Sequence, residues 1–345
     1  MSALPDLTTR LQEGCELSAP EIMAAVSALV DPGLADIAKA DFLTALARKG
    51  ETAAEIAGFA TALRTRAVDP GLPAGQCLDI VGTGADMAHT FNISSCTMFV
   101  AAAAGIPVAK HGNRAITSKC GSADVLAGLG AKIDMPVEVA RRCLTEVGIT
   151  FFFAPLYHPA FKVIAPVRKR LAEQKQRTIF NVLGPLVNPA QPTHQLIGVF
   201  DKKLVPQFAE VLRLLGLKHA MVVHGDGLDE FSTMGVNTCA ELWNGQIEFT
   251  ERDYRVQSTL WRGMPVKLAE LAGDDPATNA GIVRAVLAGQ DRGPKRDIVL
   301  LNAAAALVVG DVADNFEQGW QRAAELIDTG AALDRLERFV KASVG

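Results

Sequence analysis

The fold of this chain is decided by one short stretch of sequence, Leu78-Asp-Ile-Val-Gly-Thr-Gly-Ala-Asp86. The stretch begins as an apolar run of strand length that ends at Gly82, and residues 94–104 then have the small, apolar composition of a buried helix. A short strand that turns through glycines into a helix predicts a βα unit. Glycines in such a turn let backbone amides approach an anion, and the helix that follows presents its N-terminus to that anion.

The same alternation of apolar runs and helical segments recurs downstream. Strand-length runs are found at residues 106–110, 151–154, 196–200 and 220–224, and segments with helical patterning at residues 122–129, 204–215, 276–287, 296–309 and 313–340. Strands that alternate with helices predict a largely parallel, doubly wound sheet. Ligands of such sheets bind beyond the carboxyl ends of the strands, so we expect the functional site there.

The first 70 residues have a different pattern, which predicts three or four helices and no strand. Capping boxes begin at Ser18 and Thr52, each with a glutamate three residues later, and Gly50 is placed to end the preceding helix. Asp69-Pro70-Gly71 then reads as a linker. The sequence therefore predicts an α/β protein with a small all-helical domain followed by a large α/β domain.

Composition excludes several classes of protein. The 345 residues carry 34 basic and 38 acidic side chains, and a net charge of −4 argues against wholesale binding of nucleic acid. The apolar runs are shorter than a membrane span requires, and we see no signal-peptide pattern at the start. The six cysteines are scattered without a CxxC motif, which indicates reduced thiols and a cytoplasmic location.

Two candidate anion sites follow the first predicted strand. The turn at Gly82, Gly84 and Asp86 lacks the third glycine of a dinucleotide fingerprint, because Met87 stands there, and it is not a Walker A loop. An unliganded βα turn is the alternative interpretation. Polar residues then precede the helix in Thr90-Phe-Asn-Ile-Ser-Ser95, where plain N-capping by Ser94 or Ser95 is the alternative to a phosphate or metal contact.

A second loop, Lys110-His-Gly-Asn-Arg-Ala-Ile-Thr-Ser-Lys119, follows the second predicted strand and leads to Ser122. Its cations, glycines and hydroxyls suit an anionic ligand, although a solvated loop has a similar composition. Two loops of this kind, each anchored on a strand, predict a ligand with two phosphate-like ends.

Two further candidates complete the site. Asp229-Glu230 follows the strand that ends at His224, and adjacent carboxylates at a strand end suit Mg²⁺, which takes one or two carboxylates and leaves its other positions to water and phosphate. A solvated turn is the alternative. Arg168 could hold a carboxylate in a bidentate manner, or simply be an exposed helix arginine.

The combined motifs resemble those of the anthranilate phosphoribosyltransferases. They occur in that family's order over about residues 15 to 330 as GTGAD, TFNISS, KHGNR, FFFAPLYHP, APVR, RTIFNVLGPLVNP, the Asp-Glu pair and GPKRDIVLLNAAAAL. The family transfers phosphoribose from phosphoribosyl pyrophosphate (PRPP) to the amine of anthranilate, with Mg²⁺, in the second step of tryptophan synthesis. The joint occurrence of the motifs is far more specific than any one of them.

The resemblance also implies a fold of the nucleoside phosphorylase/phosphoribosyltransferase type that is usually homodimeric. Residues 1–72 would form the small helical domain, to which a segment at about 161–190 returns as hinge and helix. Residues 73–160 and 191–345 would form the large PRPP-binding domain with a mainly parallel sheet. We further expect closure of the two domains, which would exclude water that hydrolyses PRPP.

By position, the resemblance assigns site residues in three groups. Anthranilate would face Gly82, Asn113 and Arg168, and Mg²⁺ would be held by Ser94, Asp229 and Glu230. The residues assigned to PRPP are Gly82, Gly84, Asp86, Thr90, Asn92, Ser94, Ser95, Lys110, Ser118 and Ser122. No strong general base is expected, because an aromatic amine is neutral and nucleophilic at physiological pH.

Three departures from the family pattern leave the acceptor open. Ala85 replaces a glycine, His89 stands where a smaller residue is expected, and residues 169–176 are a few residues longer than usual. The alternatives are a phosphoribosyltransferase for another aromatic amine or nitrogen base, a nucleoside phosphorylase, and a non-catalytic nucleic-acid-binding paralogue. The Asp-Glu pair, Arg168, Lys110 and the net charge argue against the last of these.

Overall fold

The computed structural model describes residues 3–72, 77–84, 86–115, 119–254 and 266–345. Among these residues four helices precede the first strand, where the sequence predicts three or four: α1 (Leu4–Gln12), α2 (Ala19–Leu29), α3 (Asp36–Lys49) and α4 (Ala53–Arg64). The capping box of α4 is formed in both directions, since the Glu55 amide donates to Thr52 Oγ1 at 3.2 Å and the Thr52 amide donates to Glu55 Oε2 at 2.9 Å. Gly50 ends α3 with a φ of +88°, which glycine adopts without strain.

The remaining chain alternates strands and helices. The strands are β1 (Leu78–Gly82), β2 (Val108–Gly112), β3 (Ile149–Phe153), β4 (His194–Gly198), β5 (His219–Gly225), β6 (Asn237–Trp243) and β7 (Gln246–Arg252). The helices are α5 (Ile93–Ala103), α6 (Ser122–Gly128), α7 (Val137–Arg142), α8 (Ala154–Tyr157), α9 (Ala160–Glu173), α10 (Phe180–Leu183), α11 (Leu204–Leu214), α12 (Pro276–Leu287), α13 (Pro294–Val309), α14 (Phe316–Asp328) and α15 (Ala331–Val344). A π-helical turn (Cys143–Val147) extends α7, and short 3₁₀ turns occur at Gly184–Leu186 and Leu268–Leu271.

The seven strands of the described ranges form one sheet in the order β3-β2-β1-β4-β5-β6-β7. Strands β1 to β5 pair in parallel, and β6 and β7 add an antiparallel hairpin at one edge. The chain fills the sheet from β1 toward β3 and then returns to the other side of β1 with β4. The loops after β1 and β4 therefore diverge, and a crevice at this switch point is where doubly wound sheets bind their ligands.

Two apolar cores lie against the sheet. The first contains α5, α12 and α13 together with β1, β2 and β3. The second joins the N-terminal helices to residues of α9, α11, β4 and β5. Helix α9 packs against α3, and α11 packs against α4. Among the described helices, none is both long and apolar enough to cross a membrane.

The sequence prediction differs from the structure in several places, among them β3 and β4, which each begin two residues earlier than predicted, and the segment at 313–340, which forms two helices. The second strand begins at Val108, two residues later than predicted, because Ile106 and Pro107 belong to the turn after α5. The β6–β7 hairpin was not predicted, since the largely exposed β7 lacks a continuous apolar run. Helix α9 lies within the segment at about 161–190 for which the family resemblance implies a hinge and a helix, but local patterns did not give its bounds, because it contains Pro166, which usually ends a helix.

Candidate active site

The carboxyl ends of β1 and β4 approach Asp229 so closely that only glycine fits there. Gly82 pairs in register with Gly198 across the two strands. A Cβ on Gly82 would overlap the Asp229 carboxylate, and one on Gly198 would overlap the Asp229 backbone. Gly84 adopts a φ of +67°, and its amide donates to Asp229 Oδ2 at 2.6 Å. The glycine turn is thus built directly against the acidic pair.

Asp86 lies on the same turn and closes it. Its Oδ1 accepts a hydrogen bond from the Ala88 amide at 3.1 Å, and its Oδ2 lies 3.5 Å from the Asp229 amide nitrogen. Met87 and His89 have φ values of +59° and +53°, a left-handed backbone that is unfavourable for side chains with a Cβ. Ala85, the first departure from the family pattern, lies outside the described residues.

The N-terminus of α5 brings a second backbone amide and the buried lysine to the same acids. The Ser94 amide donates to Glu230 Oε1 at 3.1 Å. Lys110 Nζ donates to Ser94 Oγ at 3.2 Å and also to the Ile80 carbonyl. The structure therefore brings Gly82, Gly84, Asp86, Ser94, Lys110, Asp229 and Glu230 together.

N-capping does not account for the serines of this motif. Helix α5 begins at Ile93, with Asn92 at the N-cap position, so both serines lie inside its first turn. The Ser95 hydroxyl is buried, and it has no hydrogen-bond partner among the described residues. Its assignment to PRPP remains a prediction.

The acidic pair carries unfavourable charge. Burial, followed by the neighbouring Asp86 and Glu230 charges, raises the pKa of Asp229 well above its usual range. Burial also raises the pKa of Glu230, to about 7, although Lys110 opposes this shift. For Lys110 itself, burial lowers the pKa against the attraction of Asp79 and both acids. An additional cation at the acids would relieve this repulsion.

The residue set fits Mg²⁺ better than it fits an all-protein metal cage. Within the described ranges, no group of three or more His, Cys, Asp or Glu side chains is arranged to hold a metal. Mg²⁺ needs only one or two carboxylates when substrate phosphates and water supply the other oxygens. Asp229 and Glu230 supply such hard oxygen donors, with the Ser94 hydroxyl beside them.

The second loop is tied to α6 and to the first loop. The Asn113 carbonyl accepts from the Ala123 amide at 3.1 Å and from Ser122 Oγ at 3.4 Å. The Asn92 side-chain amide donates to the Cys120 carbonyl at 3.2 Å, which links the two loops directly. Thr90 forms an isolated antiparallel bridge with Ala272. Ser118, another residue assigned to PRPP, lies outside the described residues.

Arg168 is positioned by an aromatic neighbour rather than by an acid. It lies on α9, and its guanidinium carbon is 5.2 Å from the centre of the Phe180 ring. Burial lowers the pKa of the Arg168 guanidinium, and within the described ranges it forms no ion pair. A guanidinium held in this way is available to an anionic ligand.

A row of rings that the sequence patterns did not single out runs from Arg168 to His111, the residue after Lys110. His111 follows Lys110 in β2, and its ring centre is 5.1 Å from that of His158, which stacks on Phe161 at 5.0 Å. Phe161 in turn contacts Phe180 at 5.8 Å. Both histidines lie within family motifs, His111 in KHGNR and His158 in FFFAPLYHP. Their burial and mutual contact, however, depend on the return of α9 to the sheet.

The two imidazoles in this row are neutral. Burial lowers the pKa of His111 to about 3 and that of His158 to about 4. The Nε2 atoms of both rings are buried and have no hydrogen-bond partner among the described residues. The row thus offers aromatic faces and uncharged polar atoms beside a guanidinium, an environment that suits a flat ligand with a negative substituent.

Comparison with known proteins agrees with this geometry. Residues 74–333 match the glycosyl transferase family a/b domain, and residues 5–67 match the helical bundle domain of the same family. The anthranilate phosphoribosyltransferase of Anaeromyxobacter dehalogenans is 48% identical over 336 residues, which is 97% of each chain.

Solved structures show the same likeness over the whole chain. The anthranilate phosphoribosyltransferase of Thermus thermophilus superposes with a TM-score of 0.90 at 36% identity, covering 99% of this chain and 100% of that one. The Saccharomyces cerevisiae enzyme in complex with PRPP and Mg superposes with a TM-score of 0.86 at 28% identity, covering 99% and 98%. Its complex with 4-fluoroanthranilate gives a TM-score of 0.85 at 27% identity over the same shares. This chain belongs to the anthranilate phosphoribosyltransferase family of glycosyltransferases.

Proposed function

We propose that the protein transfers the 5-phosphoribosyl group of PRPP to the amine of anthranilate, giving N-(5-phosphoribosyl)anthranilate and pyrophosphate. The observation that carries this proposal is one continuous arrangement of residues. The glycine turn, Lys110 and the acidic pair lie at the switch point, and the row of rings from His111 leads from there to Arg168. One end of this arrangement suits a phosphorylated sugar, and the other suits an aromatic acid.

The phosphate end supplies electrostatic stabilisation. When the bond from C1 of the ribose to pyrophosphate breaks, negative charge collects on the leaving group. The Lys110 ammonium is a preorganised positive charge at the strand ends, and such a group stabilises developing negative charge without reorganising. The Gly84 and Ser94 amides hold the two carboxylates in place by donating to them. Asn92, Thr90 and Ser122 lie on the same loops and are proposed as further PRPP contacts.

Mg²⁺ is the metal that we propose for the acidic pair. Asp229, Glu230 and the Ser94 hydroxyl would hold it, and when bound it would neutralise charge on the pyrophosphate. The yeast relative with PRPP and Mg bound supports this assignment.

The acceptor end supplies orientation. Arg168 would pair with the anthranilate carboxylate, and Asn113 with Gly82 would border the ring and its amine. The amine lone pair then forms the bond to C1, and the nitrogen gives up its proton to solvent. None of the described side chains is needed as a strong base.

The domain arrangement that we propose has residues 1–72 and about 161–190 on one side and the α/β part on the other. The packing of α9 on α3 supports the return of this segment to the helical bundle. Arg168 would then travel with the bundle while Lys110 stays on the sheet, so closure would bring the acceptor to the sugar. We further propose a homodimer located in the cytoplasm, as the family resemblance implies.

The acceptor is tested by measuring pyrophosphate release with a panel of acceptors. Anthranilate, other aromatic amines and nitrogen bases are each offered with PRPP and Mg²⁺. We expect anthranilate to give a kcat/KM at least about 100-fold above the others, because only it has a carboxylate for Arg168 next to the amine. A nitrogen base or another amine that equals anthranilate would replace the proposed acceptor.

A further inference from the structure

A short segment before α12 pairs with the backbone of the first phosphate loop. The Phe91 amide donates to the Leu271 carbonyl at 3.0 Å, and the Gly273 amide donates to the His89 carbonyl at 3.0 Å. The bridge between Thr90 and Ala272 lies between these two bonds. Nothing in the sequence patterns assigned this segment a role, yet it fixes the loop that leads into α5.

Asn279 of α12 extends this contact to the second loop through a relay of two amides. Its side chain is only 2% exposed, and its Nδ2 donates to Asn92 Oδ1 at 2.9 Å. The Asn92 Nδ2 donates onward to the Cys120 carbonyl at 3.2 Å. Asn279 Oδ1 accepts from the Asp274 amide at 2.8 Å, so its donor and acceptor ends both hold their partners.

The packing around the relay leaves no room for additional atoms. A Cβ on Gly273 would lie 2.6 Å from Asn279 Oδ1 and 2.7 Å from the Phe91 Cα. An ion pair between Lys119 and Asp274 at 2.6 Å also links the second loop to this segment, but it is exposed and therefore contributes little. The hydrogen bonds of the buried amides contribute more to this connection, because leaving a buried amide unpaired costs free energy of folding.

We propose that Asn279 is a positioning residue for PRPP, which through Asn92 and the Cys120 carbonyl sets the spacing of the two phosphate-binding loops. This inference rests on the proposed function. A ligand with two phosphate-like ends bridges the loops only at the correct separation, and preorganised donors lose much of their effect when they are misplaced by about 1 Å. Asn279 does not touch the ligand itself.

The test is the affinity for PRPP with Mg²⁺, measured by titration calorimetry on the full-length chain. Asn279→Ala is expected to raise the Kd for PRPP about tenfold, and Asn279→Asp to do the same, because an aspartate carboxylate cannot donate to Asn92 Oδ1. The KM for anthranilate and the kcat at saturating PRPP should change less than about threefold. Val283→Ala, which removes buried apolar atoms from the same helix, should lower the melting temperature and leave the Kd for PRPP unchanged.

A double-mutant cycle with Asn92→Ala separates positioning from general damage. Since both residues act in one relay, Asn279→Ala should weaken PRPP binding less than about threefold further once Asn92 is alanine. If Asn279→Ala does not fold, Gly273→Ala is used in its place. It crowds the relay without removing an amide, and it should also raise the Kd for PRPP. An unchanged Kd in folded Asn279→Ala, or fully additive losses in the cycle, would overturn the inference. A wild-type chain that binds PRPP but does not consume anthranilate would contradict the proposed acceptor and leave this test valid.

Discussion

The buried carboxylates of Asp229 and Glu230 destabilise the ligand-free fold. Their carboxylates are crowded with Asp86, and burial with this repulsion raises both pKa values. Like charges held in this way weaken a folded chain, and such conflicts are typical of functional sites. The Gly84 and Ser94 amides offset part of the cost by donating to the two carboxylates.

The double variant Asp229→Asn, Glu230→Gln separates these two effects. The amide oxygens still accept from the same backbone donors, so the fold is retained, and removal of the repulsion should raise the melting temperature of the ligand-free protein. Turnover in Mg²⁺ should fall at least about 100-fold, because the charge that holds the metal is lost. Thermal melts and steady-state assays measure the two quantities, and comparable activity in the double variant would refute the metal assignment.

Arg168→Ala should affect the acceptor and spare PRPP. Loss of a guanidinium that pairs with a carboxylate is expected to raise the KM for anthranilate at least about tenfold. The Kd for PRPP should change less than about twofold, since Arg168 lies at the far end of the row of rings. Arg168→Lys is the matched control, and it should recover little because lysine lacks the planar fork. An equal rise in the KM for anthranilate and the Kd for PRPP would contradict the assignment of Arg168 to the anthranilate carboxylate.

Among single residues, the sequence patterns singled out several polar side chains that the structure brings together, but not the residues that surround them. Lys110, Ser94 and the acidic pair stood out because charged and hydroxyl side chains after glycine-rich strand ends suit phosphate and metal. His111, His158 and Asn279 were not singled out, since their roles depend on contacts between segments far apart in the chain.

At the scale of elements, the close approach of β1, β4 and the Asp229 loop is the most demanding local feature. The position of Gly198 has no room for a side chain, because a Cβ there would overlap the Asp229 backbone. Gly198→Ala should therefore displace the acidic loop, destabilise the protein by about 3 kcal/mol and abolish Mg²⁺-dependent turnover.

Gly281→Ala is the matched control for this prediction. Gly281 is exposed in α12 with open space at its Cβ, so alanine should stabilise the protein by about 0.5 to 1 kcal/mol through the helix propensity. Urea unfolding measures both variants. A tolerated Gly198→Ala with normal activity would show that the strand ends do not fix Asp229.

The sequence predicted β1 to the residue and three or four helices before it, because strand-length apolar runs, capping boxes and glycine stops are local signals. It did not predict the β6–β7 hairpin, and it gave no bounds for α9, which only the family resemblance implied. In β7 most side chains face solvent, and in α9 tertiary packing on α3 overrides the local effect of Pro166.

At the scale of the whole molecule, a histidine cluster at the N-terminal ends of β4 and β5 connects segments that lie far apart in the chain. His219 of β5 pairs with Asp311 after α13 and with Glu241 of β6, each at 2.9 Å, and its ring stacks on Trp243. Burial alone would lower the pKa of His219, but the hydrogen bonds to the two carboxylates raise it overall. Burial lowers the pKa of the neighbouring His194, which also contacts Asp311.

This cluster predicts a pH-dependent contribution to stability. A raised pKa in the folded state stabilises the protein below the unfolded value of about 6.5, and that contribution is lost as the pH rises through the folded pKa. His219→Gln should therefore cost about 1 kcal/mol more at pH 5.5 than at pH 9, the magnitude of a partly exposed ion pair. Urea unfolding of wild type and variant at each pH gives the difference, and an equal loss at both values would show that His219 is not charged in the fold.

The order of the sheet and the packing of the helical segments are properties of the whole chain that local patterns determine only in outline. The alternation of elements predicted a mainly parallel sheet and a site at the strand ends. It could not give the order β3-β2-β1-β4-β5, which sets the switch point and so places Gly82 beside Gly198.

The most direct test of the central claim is the loss of anthranilate fluorescence when PRPP and Mg²⁺ are added to the purified protein. We expect a turnover-dependent loss of fluorescence that stops in EDTA and resumes with excess Mg²⁺. Constant fluorescence in folded protein that binds PRPP would contradict anthranilate as the acceptor.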